Sequence, residues 1–185
     1  MALTKERLQQ LSREAFDIAS EHGFHDEEKP IELLLSLIMS EVAEIIEADR
    51  KGRHALYNES DNVPYDDEEF KTFYNENIKG SIEEEFADVA IRLMDYAYTY
   101  FGEDMDWDLI NKDYYVRVRA EGEPIYFVAW YFIKNILDFD MESIATSMRH
   151  IINWSRDINM DLEKHIELKS RFNSLRTFMH GGKKY

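Results

Sequence analysis

Apolar residues recur at helical spacing along most of the chain. In the first segment Leu8, Leu11 and Ala15 repeat every three or four residues, and Gly23 stands where such a helix would end. The spacing predicts a first helix over residues 4–22.

Cap residues divide the rest of the chain into further helices. Pro30 suits the opening turn of a helix, Ser81 and Glu84 resemble a capping box, and Asp140 and Asp161 are good N-caps. The predicted segments are 30–51, a short helix at 67–75, then 81–100, 107–119, 124–138, 141–157 and 161–179.

Composition agrees with an all-α fold. The chain has 185 residues, with only seven Gly and three Pro, too few for a sheet of many short strands. We predict a helical bundle with a four-helix core and additional C-terminal helices. The whole chain, 1–185, is expected to be one domain, with a long loop at 52–80 and an extended segment at 102–160.

The segment "PIYFVAWYFIKNILD", residues 124–138, is apolar on nearly every side. A helix of this kind is typically buried or lies at a subunit interface. It is therefore the predicted candidate for an oligomer interface.

Charge and the lack of cysteine exclude several functions. The chain has no Cys, which excludes disulfides, thiolate metal sites and cysteine nucleophiles. Its net charge of −16 argues against duplex nucleic acid as a partner, although a polyanionic small substrate is still possible where metal ions bring positive charge. Neither a signal peptide nor a membrane span is recognisable, so a cytoplasmic location without membrane contact is expected.

One carboxylate lies on the apolar face of the second predicted helix. Projection places Glu41 within the edge of the apolar stripe, and Glu44 follows on the same flank. A lone buried carboxylate costs several kcal/mol or stays protonated, so Glu41 needs a metal ion or a cationic side chain beside it. The stripe itself consists of Leu34, Ile38, Val42 and Ile45.

The helix at 81–100 repeats this arrangement. Glu85 and Asp88 lie together on one shoulder of its apolar stripe, with Arg92 on the same side. Two such pairs supply four oxygen ligands, which suits Mg²⁺ or Mn²⁺ and disfavours zinc. A di-iron bundle would need Glu-x-x-His, which neither pair contains. The alternative is that these are surface acids paired with Lys or Arg.

A cationic row follows the apolar stripe of the last helix. Lysine, arginine and asparagine in such a row are natural phosphate contacts, although they would equally well neutralise the acidic helices across the bundle. Beyond the row, Gly181 and Gly182 would allow Lys183 and Lys184 to fold back, or these lysines form an exposed tail. The stripe is Leu168, Phe172, Leu175 and Met179, and the row is His165, Lys169, Asn173, Arg176 and His180.

Three stretches of the chain resemble one family. "SEVAEIIEADRKG", "SIEEEFADVAIRLMDYA" and the closing "HIELKSRFNSLRTFMHGGKKY" are similar to motifs of the MazG-like branch of the all-α nucleoside triphosphate pyrophosphohydrolases. The resemblance implies Mg²⁺-dependent hydrolysis of an NTP or dNTP to the monophosphate and pyrophosphate, for house-cleaning of the nucleotide pool. It also implies a homodimer or homotetramer.

Carried over to this sequence, the resemblance assigns roles to individual residues. Glu41, Glu44, Glu85 and Asp88 would be the metal ligands, and the catalytic set would be Glu41, Glu44, Lys169 and Arg176. Lys169, Asn173 and Arg176 would contact phosphates or sugar. Arg92 and His22 complete the expected substrate-binding set.

We expect water to attack the α-phosphorus with pyrophosphate leaving, and Glu44 to accept the proton of that water. One alternative is a catalytically silent helical protein that binds nucleotides or a partner and regulates; another is a structural metal-binding bundle.

Several aromatic side chains are candidates for stacking on the base of a nucleotide, namely His22, Phe24, His25, Tyr57 and Tyr65.

Overall fold

The computed structural model describes residues 3–57, 62–111, 124–136, 138 and 140–182. Over these residues it contains helices and no strand, which confirms the predicted all-α bundle. All of the longer helices except the last begin and end within about two residues of the predicted bounds. They are α1 Lys5–Glu21, α2 Ile31–Arg50, α3 Asp67–Asn77, α4 Ile82–Phe101, α5 Ile125–Ile136, α6 Met141–Asp157 and α7 Leu162–Ser174.

The helix predicted at 107–119 is observed only at its start. Two short 3₁₀ helices, Gly102–Asp104 and Trp107–Asn111, follow α4. The remainder of the predicted segment lies outside the described residues.

Helix α4 lies at the centre of the bundle. It packs against α1, α2, α6 and α7, and Val89 and Leu93 on its apolar stripe are wholly buried. Burying one such side chain stabilises the fold by about 1.5–3 kcal/mol. Burial of this stripe therefore places the neighbouring acidic residues, Glu85 and Asp88, close to the core.

Most of the predicted caps form. Asp140 accepts a hydrogen bond from the Ser143 amide at 2.7 Å, and Asp161 accepts one from the Lys164 amide at 3.1 Å. Each cap satisfies an amide that the first turn leaves without a partner. The starts of α6 and α7 are thereby confirmed.

The predicted capping box at the start of α4 forms only in its first half. Ser81 accepts from the Glu84 amide at 3.1 Å. The Glu84 carboxylate does not return to Ser81 but is bonded by the amide of Gly80, the hydroxyl of Tyr74 and the ammonium of Lys169. The second half of the prediction is wrong because the Ser81 amide donates to the Ile78 carbonyl at 3.1 Å instead.

Helix α7 ends at Ser174, so the predicted extension to 179 is wrong. Beyond it Met179–Gly182 forms a left-handed turn, with φ of 48° at both Met179 and His180. Hydrogen bonds to the α1–α2 connection replace those of a helix. A ring nitrogen of His22 lies 2.9 Å from the Arg176 carbonyl, and the Met179 amide donates to the His22 carbonyl at 3.0 Å.

Gly23 permits this close approach. Its φ is +79°, and a Cβ atom there would lie 2.3 Å from the ring of Phe178. Only glycine satisfies both conditions without strain. The C-terminal segment is thus held against the loop that follows α1.

The predicted loop at 52–80 contains α3, which packs on α7. Arg171 of α7 donates to the carbonyl oxygens of Pro64 at 2.8 Å and Tyr65 at 2.6 Å, and its guanidinium lies 4.0 Å from the centre of the Phe70 ring. A second, smaller apolar cluster joins the two helices. It includes Phe70, Tyr74, Ile78, Leu168, Phe172 and Leu175.

The described side chains of helix α5 differ in burial. Phe132 and Ile136 are wholly buried, whereas Tyr126 and Trp130 are more than half exposed. The predicted subunit interface on this helix stays a prediction. In the part of the chain that the structure describes, no helix is long and apolar enough to cross a membrane.

Candidate metal centre

Three carboxylates from two helices converge beside the core. Glu41 and Glu44 of α2 and Glu85 of α4 can place one oxygen each within 4.8 Å of one another. The spacing of three residues puts Glu41 and Glu44 on the same face of α2, and that helix packs directly on α4. The predicted meeting of the two acidic motifs is therefore present in the fold.

The donor set and its dimensions fit a small hard cation. Opposite oxygen ligands of an octahedral Mg²⁺ ion lie about 4.2 Å apart, twice the usual bond length of about 2.1 Å. No two ligands of one such ion lie farther apart than this, and the three carboxylate oxygens lie within 4.8 Å of one another. Oxygen ligands without nitrogen or sulfur suit Mg²⁺ or Mn²⁺.

Glu85 is the most buried of the three, with 6% of its surface exposed. Its carboxylate makes no hydrogen bond or ion pair with the described residues. Burial and the carboxylates of Asp88, Glu84 and Glu44 raise the pKa of Glu85 to about 9, and Lys169 offsets only part of this. At neutral pH the metal-free centre therefore keeps a proton on Glu85.

Glu41 has a cationic side chain beside it. Arg92 of α4 lies against a single oxygen of Glu41, with Nε at 2.7 Å and a terminal nitrogen at 2.6 Å from Oε1. The other oxygen, Oε2, has no hydrogen-bond partner among the described residues. Arg92, predicted to contact substrate, thus holds Glu41 in place and leaves one oxygen for a ligand.

Asp88, the fourth predicted ligand, is engaged elsewhere. Its Oδ2 lies 2.6 Å from the ammonium of Lys169, which also lies 2.6 Å from Glu84. Asp88 is one turn after Glu85 on α4, so it borders the three converging carboxylates without being one of them. Lys169, predicted to contact phosphate, is its partner in this structure.

The predicted basic row includes polar groups that have no hydrogen-bond partner among the described residues, among them Nδ1 of His165. The guanidinium of Arg176 makes no hydrogen bond with the described residues, and it lies near enough to Asp88 and Glu84 to interact with both charges. Burial lowers the pKa of Arg176, and those two carboxylates offset part of the effect. Oδ1 of Asn173 is buried without a partner in the described part of the chain.

His22 contacts backbone carbonyl groups through both ring nitrogens. One ring nitrogen lies 2.8 Å from the Ile18 carbonyl and the other 2.9 Å from the Arg176 carbonyl, so both are occupied. His22 thereby fixes the backbone of Arg176.

The other candidates for a base pocket are dispersed. Tyr65 is 98% exposed. Phe24 packs against His180, His25 pairs with Asp95 and stacks on Phe16, and Tyr57 packs against Phe73 and His165.

Glu84 and Tyr74 border the site but are not among the predicted site residues. The sequence predicts only a capping role for Glu84, which is 4% exposed and binds Lys169. Tyr74 donates its hydroxyl to Glu84 at 3.1 Å. Phe70, Tyr74 and Ile78 recur every four residues, so the helical stripe that buries Tyr74 was visible in the sequence.

The pKa of Glu85 predicts how pH affects stability and metal binding. The unfolded chain ionises this carboxyl near its ordinary pKa of 4.5, whereas the folded protein keeps the proton up to a pKa of about 9. A pKa raised by folding contributes stability at low pH that is lost as pH rises through about 9. The metal-free protein should therefore melt at lower temperature as pH rises from 6 to 9.

Metal binding should have the opposite pH dependence, because the ion must displace that proton. Mn²⁺ affinity measured by calorimetry should rise over the same range, with proton release seen by comparing buffers of different ionisation enthalpy. An affinity unchanged across this range would contradict the assignment of Glu85 as a ligand.

The chain matches no protein-family model, no curated protein and no solved structure.

Proposed function

We propose that the protein is a Mg²⁺-dependent nucleoside triphosphate pyrophosphohydrolase of the MazG-like type. The observation that carries the proposal is the convergence of Glu41, Glu44 and Glu85 within 4.8 Å, from the two helices that contain the acidic motifs. An acidic centre of this kind excludes a bare polyanion but accepts one that arrives with a divalent ion.

The cationic side of the centre supports an anionic substrate. Arg176 faces Asp88 and Glu84 without a hydrogen bond to any described residue, and its planar guanidinium can bind two phosphate oxygens. The buried Oδ1 of Asn173, one turn after Lys169 on α7, is an acceptor for a hydroxyl of the sugar. The guanidinium of Arg176 and Oδ1 of Asn173 together fit a nucleotide ligand better than a metal ion alone.

The proposed reaction is hydrolysis at the α-phosphorus. The oxygen of a water forms the new bond to phosphorus, the bond to the bridging oxygen of the β-phosphate breaks, and pyrophosphate leaves. Glu44, the exposed member of the three carboxylates, accepts the proton of the water. Arg176 offsets the charge that develops on the leaving pyrophosphate.

A divalent ion held by Glu41, Glu44 and Glu85 would neutralise the triphosphate and lower the pKa of the attacking water. Arg92 keeps Glu41 oriented toward that position through its two contacts to Oε1. Mn²⁺ is expected to replace Mg²⁺, since both prefer oxygen ligands.

A panel of NTPs and dNTPs with Mg²⁺, analysed by chromatography of the products, tests the proposal. We expect a monophosphate and pyrophosphate in equal amounts, from a subset of bases. Release of inorganic phosphate alone would contradict attack at the α-phosphorus. The Glu47→Gln variant is the control for substitutions of the three converging carboxylates, and its turnover should be unchanged. Glu47 lies on α2 but is half exposed and pairs with Arg50 and Lys51.

The same nucleotides, added with and without Mg²⁺ in a melting assay, separate the alternative functions. Nucleotide that raises the melting temperature only with Mg²⁺, and is never converted, would favour a regulatory nucleotide-binding protein. A metal that stabilises the protein while nucleotide adds nothing would favour a structural metal-binding bundle. Either outcome would replace the proposed activity.

A further inference from the structure

A buried ammonium bridges two carboxylates at the edge of the candidate metal centre. Nζ of Lys169 lies 2.6 Å from Oε1 of Glu84 and 2.6 Å from Oδ2 of Asp88, and the lysine side chain is only 8% exposed. Burial lowers the pKa of Lys169, but Asp88 and Glu84 more than reverse this, so the pKa is raised and the ammonium stays charged. A cation is therefore already present where two carboxylates meet.

The two carboxylates are held very differently. Glu84 receives the hydroxyl of Tyr74 at 3.1 Å and the amide of Gly80 in addition to Lys169. Asp88 has Lys169 as its sole bonding partner among the described residues. Because Glu84 has three donors and Asp88 has one, Asp88 is the carboxylate that the lysine can release.

Asp88 is also the predicted fourth metal ligand, and it is not among the three carboxylates that converge. It follows Glu85 by one turn on the same face of α4, and Glu85 is already within the group formed with Glu41 and Glu44. A cation bound by these three residues would attract Asp88 away from the ammonium. Lys169 would remain bonded to Glu84, and so would stay directed at the same place.

We propose that Lys169 is an internal cation that holds Asp88 in the metal-free protein and releases it when a divalent ion binds. This inference rests on the proposed function, since the ion is the one that the hydrolysis requires. The released ammonium then needs a new anionic partner, and the phosphate of a nucleotide supplies it beside Arg176. Metal binding thereby favours phosphate binding, and by linkage phosphate favours the metal.

Competition between Lys169 and the divalent ion for Asp88 can be measured without nucleotide hydrolysis. Mn²⁺ affinity is determined by calorimetry or by electron paramagnetic resonance for the wild type, Lys169→Met, Asp88→Asn and the double variant. We expect Lys169→Met to tighten Mn²⁺ binding by tenfold or more when Asp88 is present. In the Asp88→Asn background the same change should have less than a threefold effect, because position 88 no longer supplies a carboxylate for which the ammonium and the metal compete.

The double-mutant cycle separates exchange from simple charge removal. If Lys169 acts only through its charge, Lys169→Met tightens Mn²⁺ binding equally in both backgrounds, and that result overturns the proposal. Lys164→Met removes a charge from a partly exposed lysine of the same helix and should leave the affinity within about twofold. A wild type that binds no Mn²⁺ would instead overturn the proposed function.

A second measurement uses the wild type alone, so that it does not depend on the folding of a variant. Acetylation of Lys169 by a small acylating reagent is followed by mass spectrometry, with Lys164 as the internal reference. We expect Mn²⁺ to raise the labelling rate of Lys169 at least threefold, and inorganic pyrophosphate to lower it again. A labelling rate unaffected by Mn²⁺ would show that the lysine never leaves Asp88 and would overturn the proposal.

Discussion

Glu85→Gln is expected to abolish metal-dependent turnover while making the metal-free protein more stable. At neutral pH the carboxyl of Glu85 is protonated, because burial and three neighbouring carboxylates raise its pKa to about 9. Glutamine has nearly the same shape and is neutral at every pH. It therefore removes the cost of keeping a proton on a buried acid.

The gain in stability follows from the sign of the pKa shift. The unfolded chain loses the Glu85 proton at neutral pH and the folded protein keeps it, which penalises folding. Removing this penalty should raise the free energy of unfolding by about 1–3 kcal/mol at pH 7. The pH dependence of melting between 6 and 9 should become shallower at the same time.

The loss of function has a different cause. An amide cannot supply the anionic oxygen that a hard cation prefers, so the variant loses one of three converging ligands. Metal catalysis contributes several kcal/mol to such reactions, and we expect nucleotide turnover to fall by about 10³-fold. Mn²⁺ affinity should fall with it, as measured by calorimetry.

Glu47→Gln is the matched control for this prediction. It makes the same chemical change on α2, at a side chain that is 49% exposed and paired with Arg50 and Lys51. Its effect on stability should stay within about 0.5 kcal/mol, with metal affinity and turnover unchanged. Wild-type Mn²⁺ affinity in Glu85→Gln would remove Glu85 from the metal centre.

The fold was predictable because its information is local. Stripes of apolar residues and cap residues such as Asp140 and Asp161 act within one or two turns of the chain. The end of α7 was not predictable in this way. It depends on His22, which is distant in sequence and bonds the Arg176 carbonyl across the fold.

The carboxylates of the candidate site were predictable and their partners were not. Glu41 stood out because an acid on an apolar face requires a cation, and the spacing alone placed Glu44 beside it. That the cation is Arg92, and that Lys169 would choose Glu84 and Asp88, depends on how α2, α4 and α7 approach each other. Projection of single helices carries no information about that approach.

Arg176→Met is expected to separate phosphate binding from metal binding. The guanidinium of Arg176 has no hydrogen-bond partner in the described part of the chain, yet it lies near Asp88 and Glu84 at the edge of the centre. Its backbone carbonyl, which contacts His22 at 2.9 Å, does not change with the side chain. The anchoring of the C-terminal segment should therefore survive the substitution.

The expected loss is specific to the anionic substrate. A hydrogen bond to a charged group contributes about 1.5–3 kcal/mol, and a two-pronged contact to phosphate would make kcat/KM fall by about 10²–10³-fold. Inhibition by inorganic pyrophosphate should weaken in parallel. Mn²⁺ affinity should not weaken, and should rise slightly, because a positive charge has been removed from beside the carboxylates.

Arg156→Met is the control, since it removes an exposed arginine near the end of α6. It should leave kcat/KM and pyrophosphate inhibition within about twofold of the wild type, because exposed charges contribute little. Arg176→Met with wild-type pyrophosphate inhibition would show that the guanidinium does not meet the phosphates. If Mn²⁺ affinity fell instead, Arg176 would support the metal centre itself, and the division between a carboxylate side for metal and a cationic side for phosphate would be wrong.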